Sequence, residues 1–167
     1  MRVARYGAGR TNQKFYFAKM AMQQLELAAD EANKQAYYET AVFHLHGAFL
    51  ACLQELSRFY KLSPQLATTE AIRLALDAKG QISPEISQLQ AVETEGWLAE
   101  LQQAFADCQL APDPVEVQPE AELADSLILK VADASSSSAI IPSVQLQGWY
   151  KALHALINDF RREMVEF

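Results

Sequence analysis

The sequence predicts an all-α fold, an antiparallel up-and-down helical bundle of four long helices plus one short helix, with a long Pro- and Ser-containing excursion before the last helix. Three observations predict it. Apolar residues alternate steps of four and three through Tyr38, Val42, Leu45, Phe49, Cys52, Leu56 and Phe59, and steps of three and four recur through Leu146, Trp149, Leu153, Leu156, Phe160 and Met164. Only 6 Gly and 6 Pro stand among 167 residues, so long stretches carry no helix breaker. At 50% hydrophobic and 21% charged, the chain is apolar enough for one domain over residues 1–167 that buries roughly two-thirds of its unfolded surface. The same composition excludes disordered, collagenous and disulfide-stapled classes.

The elements follow in order. Residues 1–10 form a basic lead-in. Thr11 and Asn12 are good N-caps, and from Gln13 the residues Phe15, Phe17, Ala18, Ala21, Met22, Leu25, Ala28, Ala29 and Ala32 follow a helical period, giving a first helix to about Glu31. Its second apolar edge, Tyr16, Met20 and Leu27, is more than one bundle interface needs and points to a contact with another subunit. A turn is expected near Asn33, the best turn former available there. The second helix then carries the Tyr38 to Phe59 seam until Ser63-Pro64 stops it. Thr68 or Thr69 caps a short helix, Thr69 to Lys79, closed by Gly80. Ser83-Pro84-Glu85 reads as cap, first-turn proline and first-turn acid of a helix that continues through Leu98, Leu101, Phe105 and Cys108 to Leu110. Residues 111–142 hold four prolines, six acids and the run Ser135 to Ser138, and describe a surface excursion. Within it, Leu127 to Val131 is a short apolar run, strand-like or a single turn. After Pro142 and Ser143 the last helix runs essentially to Phe167. No internal repeat is visible.

The net charge of −7 disfavours a whole-surface nucleic-acid binder, since phosphate backbones are met by clustered cations. The charge is graded along the chain. Residues 1–19 carry Arg2, Arg5, Arg10, Lys14 and Lys19 and no acid, whereas residues 80–129 carry ten acids and no Lys or Arg. Cys52 and Cys108 are far apart, each on an apolar helix face, and read as buried free thiols of a reducing compartment. The segment Phe15 to Met22 is interrupted by Lys19 and lacks a cleavage site, so it is not a signal core, and no apolar run is long enough to cross a membrane. A cytoplasmic location is expected.

Few residues offer chemistry. His44 and His46 have the H-x-H spacing, but two residues apart on a helix they point about 200° from each other and cannot share one ion. His46 is expected to be partly buried and hydrogen-bonded at the edge of the seam, near Glu39 and Ser57. His44 is expected in solvent. No Glu-x-x-His pair supports a di-metal bundle, and neither Arg58 nor Arg73 is followed by the His of a helical-bundle nuclease. Gly7-Ala8-Gly9 lacks the strand and third glycine of a phosphate loop, and Ser135 to Ser138 lacks a glycine elbow around a nucleophile. The Glu163/Glu166 pair lies at a helix end. No catalytic residue, metal site or cofactor is assigned.

One string remains as a candidate binding site. Arg10, Thr11, Asn12, Gln13 and Lys14, read as the start of the first helix, combine free backbone N–H groups, a positive dipole end and two cations, with Tyr6 and Tyr16 close by for stacking. That is an anion or nucleotide-phosphate cradle. Its alternative is a capped helix with a basic lead-in.

The string Arg10-Thr11-Asn12-Gln13-Lys14-Phe15-Tyr16-Phe17-Ala18, the block Ala41-Val42-Phe43-His44-Leu45 with Gly47-Ala48, and the ending Phe160-Arg161-Arg162-Glu163-Met164-Val165-Glu166-Phe167 resemble a family of short uncharacterised bacterial proteins, a domain of unknown function. The resemblance spans nearly the whole chain. It implies an all-helical protein built as one unit and carries over no activity and no catalytic residue. The expected function is therefore binding without catalysis, as a homo-oligomer or with a protein partner, and with no membrane association. The alternatives are a nucleotide or nucleic-acid binder using the basic string, and an enzyme with an unfamiliar site at His46 and Glu39.

Overall fold

A computed structural model describes the backbone over residues 3–63, 65–110 and 140–165, with side chains over 8–63, 65–110 and 143–164. Among the described residues there are six helices and no strand: α1 (Val3–Leu27), α2 (Glu31–Phe59), α3 (Thr69–Asp77), α4 (Pro84–Thr94), α5 (Trp97–Gln109) and α6 (Ile140–Val165). Residues 111–139, with the expected excursion, the Leu127 to Val131 run and Ser135 to Ser138, lie outside the described residues, as does Glu166.

Local chemistry sets the boundaries, in several places differently from the sequence-based expectation. α1 begins at Val3, so neither Thr11 nor Asn12 caps it and Gly7-Ala8-Gly9 is helix rather than loop. It ends at Leu27, and the turn falls at Ala28–Asp30 instead of at Asn33. Asp30 is the N-cap of α2, accepting from Asn33 N at 2.9 Å and from Asn33 Nδ2 at 2.6 Å. Asn33 thus serves the turn as a donor from inside the helix. α2 stops before Ser63 through a Schellman turn: Lys61 N donates to Arg58 O at 3.1 Å and Leu62 N to Ser57 O at 2.7 Å, with Lys61 in the left-handed region at φ 52°. Gly80, at φ 65°, closes α3 by the same pattern, with Gln81 N on Leu76 O at 3.0 Å. Thr68, one of the two residues expected there, caps α3, and Ser83 caps α4 with Pro84 in its first turn, as expected.

The expected fourth helix is in fact two, α4 and α5, separated at Glu95-Gly96. The backbone folds back so tightly there that a Cβ on Gly96 would sit 3.0 Å from the Val92 carbonyl oxygen. Among the described residues there are therefore three long and three short helices, where four long and one short were expected. Pro142 lies inside the first turn of α6 rather than before it, a position where the missing N–H removes no intrahelical bond.

α1, α2 and α6 pack side by side. Thr11 meets Glu55 and Phe17 meets His44, so residue numbers fall in α2 as they rise in α1. Asn12 meets Arg161 and Glu26 meets Gln147, the same relation between α1 and α6. One continuous core results, with Phe15, Ala18, Ala21 and Leu25 from α1, the central residues of the α2 seam from Val42 to Leu56, and Leu146, Trp149, Leu153, Leu156 and Phe160 from α6. The shorter helices add Ile72, Leu76, Ile86, Leu89, Leu98 and Leu101. The ends of the predicted α2 seam are looser: Tyr38 is half-buried and Phe59 is exposed. At the start of α4 the buried Glu85 accepts from Ser83 Oγ and from the Tyr60 hydroxyl, both at 2.7 Å, which ties α4 to the end of α2.

Candidate interaction surface

The polar string singled out in the sequence sits inside α1, not at its start, so its backbone N–H groups are not the free first-turn donors that an anion cradle requires. Its side chains divide between packing and surface. Thr11 is fully buried and its hydroxyl donates to Glu55 Oε1. Glu55 also accepts from Arg161, at Nε (3.0 Å) and Nη2 (2.8 Å), and Arg161 Nη1 donates to Asn12 Oδ1 at 3.0 Å. Thr11 and Asn12 therefore join α1 to α2 and α6 through one charge-assisted network. Lys14 lies along α2: a Cβ on Gly47 would stand 3.1 Å from its Cδ and Cε, and its ammonium is 4.8 Å from the centre of the Phe43 ring. Burial, aided by the neighbouring Arg10 cation, holds the Lys14 ammonium below the ordinary lysine range. Arg10 donates to Gln13 at 2.6 Å, and both are exposed. The five residues do not converge on one point. Sequence reasoning had a signal for this, because Thr11 extends the core spacing of Phe15, Ala18 and Leu25 one step backwards.

The outward face of α1 is different. Tyr16, Met20 and Leu27 are 61%, 46% and 77% exposed. With Gln23 they occupy steps of four, three and four, a second seam opposite the one that packs into the core. The apolar edge extends toward α2, where Tyr16 neighbours Phe17 at 6.2 Å, Phe17 meets His44 at 5.2 Å, and Phe43 is half-exposed. Beside this stripe charge is asymmetric: Lys19 precedes its midpoint and Glu26 follows it, both exposed.

His46 is partly buried as expected but lacks the expected hydrogen bond, and His44 is not in solvent. His46 is half-buried and stacks on Phe105, rings 3.9 Å apart and 8° from parallel, and makes no hydrogen bond among the described residues. Burial lowers its pKa. Glu39, two turns away on α2, instead accepts from Gln35 at 2.7 Å, so His46 and Glu39 are not brought together as an acid–base pair. His44 is partly covered rather than solvated, between Phe17 and Phe43, with Nδ1 buried and unpartnered. Its pKa is lowered by burial and then by the Lys14 and Arg10 cations.

A cleft of about 650 Å³ opens between α2, α5 and α6, bounded by Tyr38, Glu39, Glu100, Asp107, Cys108 and Trp149. The Trp149 indole donates to Glu100 at 3.2 Å. Cys108 is only partly buried, against the expectation of two shielded thiols, and burial together with Glu39 and Asp107 pushes its pKa up. That environment disfavours the thiolate, so Cys108 is not an activated nucleophile. Among the described residues no three His, Cys, Asp or Glu side chains are grouped to hold a metal.

Among the described residues, no helix is long and apolar enough to cross a membrane. Comparison with curated proteins and with solved structures returns no match. Over residues 6–167 the sequence matches DUF6586, a family of unknown function, and the chain belongs to that family.

Proposed function

We propose that this protein works by protein–protein association, as an antiparallel helical bundle that presents the outer face of α1 to its partner. The observation that carries the reading is the exposure of Tyr16, Met20 and Leu27 at seam spacing on the side of α1 opposite the core. Scattered apolar residues need no explanation, but a contiguous apolar stripe usually marks a contact. The unpaired thiols of Cys52 and Cys108 suit a reducing, cytoplasmic setting for that association.

Native mass spectrometry on the chain purified from cells tests the reading, with the parent compared to a Met20→Glu/Leu27→Glu variant. The parent is expected to retain a second polypeptide, and the variant to lose it while keeping the parent's helical circular dichroism. A parent that is a lone chain, or a variant that keeps the same partner, would overturn the proposal.

A further inference from the structure

We infer that the partner on this face is a second copy of the chain, with the two α1 helices paired antiparallel about a two-fold axis that passes between Met20 and Gln23. The inference rests on reading the outer face of α1 as an interaction surface. Two independent features of that face choose the occupant and its direction.

The first is spacing. A two-fold contact must be self-complementary, each position meeting its counterpart in both copies. The exposed stripe Tyr16, Met20, Gln23, Leu27 has steps of four, three and four, which read the same in either direction. Laid antiparallel upon itself, it sets Tyr16 against Leu27 and Met20 against Gln23, so each large apolar end lies against another apolar group. The most exposed of these side chains, Leu27, is thereby covered by a ring.

The second is charge. Beside the stripe the helix carries one exposed cation, Lys19, before its midpoint and one exposed acid, Glu26, after it. Parallel pairing in register would keep each Lys19 level with the partner's Lys19 and each Glu26 level with the partner's Glu26. Antiparallel pairing brings each Lys19 toward the partner's Glu26 and also opposes the helix dipoles. Lys19 and Glu26, both exposed, lie on the same flank of the stripe. In an antiparallel pair that flank meets its own counterpart, within two residues of direct opposition. A two-fold axis makes the Lys19–Glu26 contact twice. A second copy supplies both the matching spacing and the complementary charge order by construction of the helix itself.

Sedimentation velocity over micromolar concentrations, combined with charge reversal, tests the pairing. The parent is expected to dimerise reversibly. Lys19→Glu and Glu26→Lys should each weaken the dimer by roughly fivefold to tenfold, because each reversal makes two repulsive contacts, and the double reversal should restore it. Cysteine cross-linking supplies an independent readout in a Cys108→Ser background. Tyr16→Cys chains mixed with Leu27→Cys chains should form mixed disulfides in preference to like pairs, the two positions being about 16 Å apart along one helix. A dimer with no rescue by the double reversal, or with like-pair cross-links dominant, overturns the antiparallel pairing and leaves the interaction surface standing. A parent that is monomeric by sedimentation, yet retains a different protein in native mass spectrometry, overturns the second copy as partner. A parent that retains nothing removes the surface reading as well.

Discussion

Arg161 grips both carboxylate oxygens of Glu55, with Nε on Oε2 at 3.0 Å and Nη2 on Oε1 at 2.8 Å, across a separation of 106 residues. The two side chains are only 25% and 10% exposed, and Thr11 and Asn12 of α1 complete the network. A bidentate pair in this setting fixes three helices relative to one another. Arg161→Met should therefore lower stability by about 2–4 kcal/mol, since it strands a largely buried carboxylate with Thr11 as its remaining side-chain donor. In denaturant melts, a cycle with Glu55→Gln should show a coupling of about 1–3 kcal/mol between the two positions. Additive losses would mean that the pair is no more than a surface contact.

Lys61→Gly should stabilise the protein by roughly 0.5–1 kcal/mol. Lys61 holds φ 52° at the end of α2 and is exposed. A side chain in the left-handed region crowds its own backbone, and glycine removes that penalty at a Schellman position. The larger entropy of glycine in the unfolded chain offsets part of the gain. A lower denaturation midpoint for the variant would contradict the assignment.

The two cysteines should separate kinetically. Cys52 is 3% exposed within the core, and burial pushes its thiol pKa far up, so it should react with a thiol reagent only through unfolding. Cys108 is partly exposed beside the α2–α5–α6 cleft and should react in the native state, slowly at neutral pH and faster as pH rises, because burial and the neighbouring acids disfavour its thiolate. Equal rates for the two thiols would show that the core opens as readily as the cleft.

Acid should weaken the fold before its carboxylates titrate. His44 and His46 both have pKa values lowered from the ordinary 6.5 by burial. Below about pH 6.5 the unfolded chain binds protons that the native state resists, so the contribution of these groups is intact above that pH and is lost as pH falls toward the lowered native values. The melting temperature should drop between about pH 7 and pH 5.5. His46→Phe, which keeps a ring against Phe105, should make the drop shallower. An unchanged slope would mean that His46 is hydrated in the native state.

Part of the site was legible before any coordinates. Tyr16, Met20 and Leu27 were readable as a surplus apolar edge because period alone tells which residues share a helix face, and one face suffices for a core. The polar string Arg10 to Lys14 was readable as a helix start because Thr and Asn are good caps. A hydroxyl can equally donate to a distant carboxylate, and Glu55, 44 residues away, is invisible to local reasoning. The same gap separates the expected hydrogen-bonded His46 from the observed one stacked on Phe105.

The sequence by itself determined the all-α class, the family of the chain, the buried centres of the α2 and α6 seams, and the caps at Ser83 and Gly80. Those features depend on residues within one or two turns of each other, where period, cap chemistry and backbone sterics act directly. Only the tertiary structure decided that α1 reaches back to Val3, that Gly96 divides α4 from α5, and that Thr11, Asn12, Glu55 and Arg161 form one network. The network is set by groups far apart in the chain, whose energies of contact outweigh local preferences of about 1 kcal/mol per residue or less.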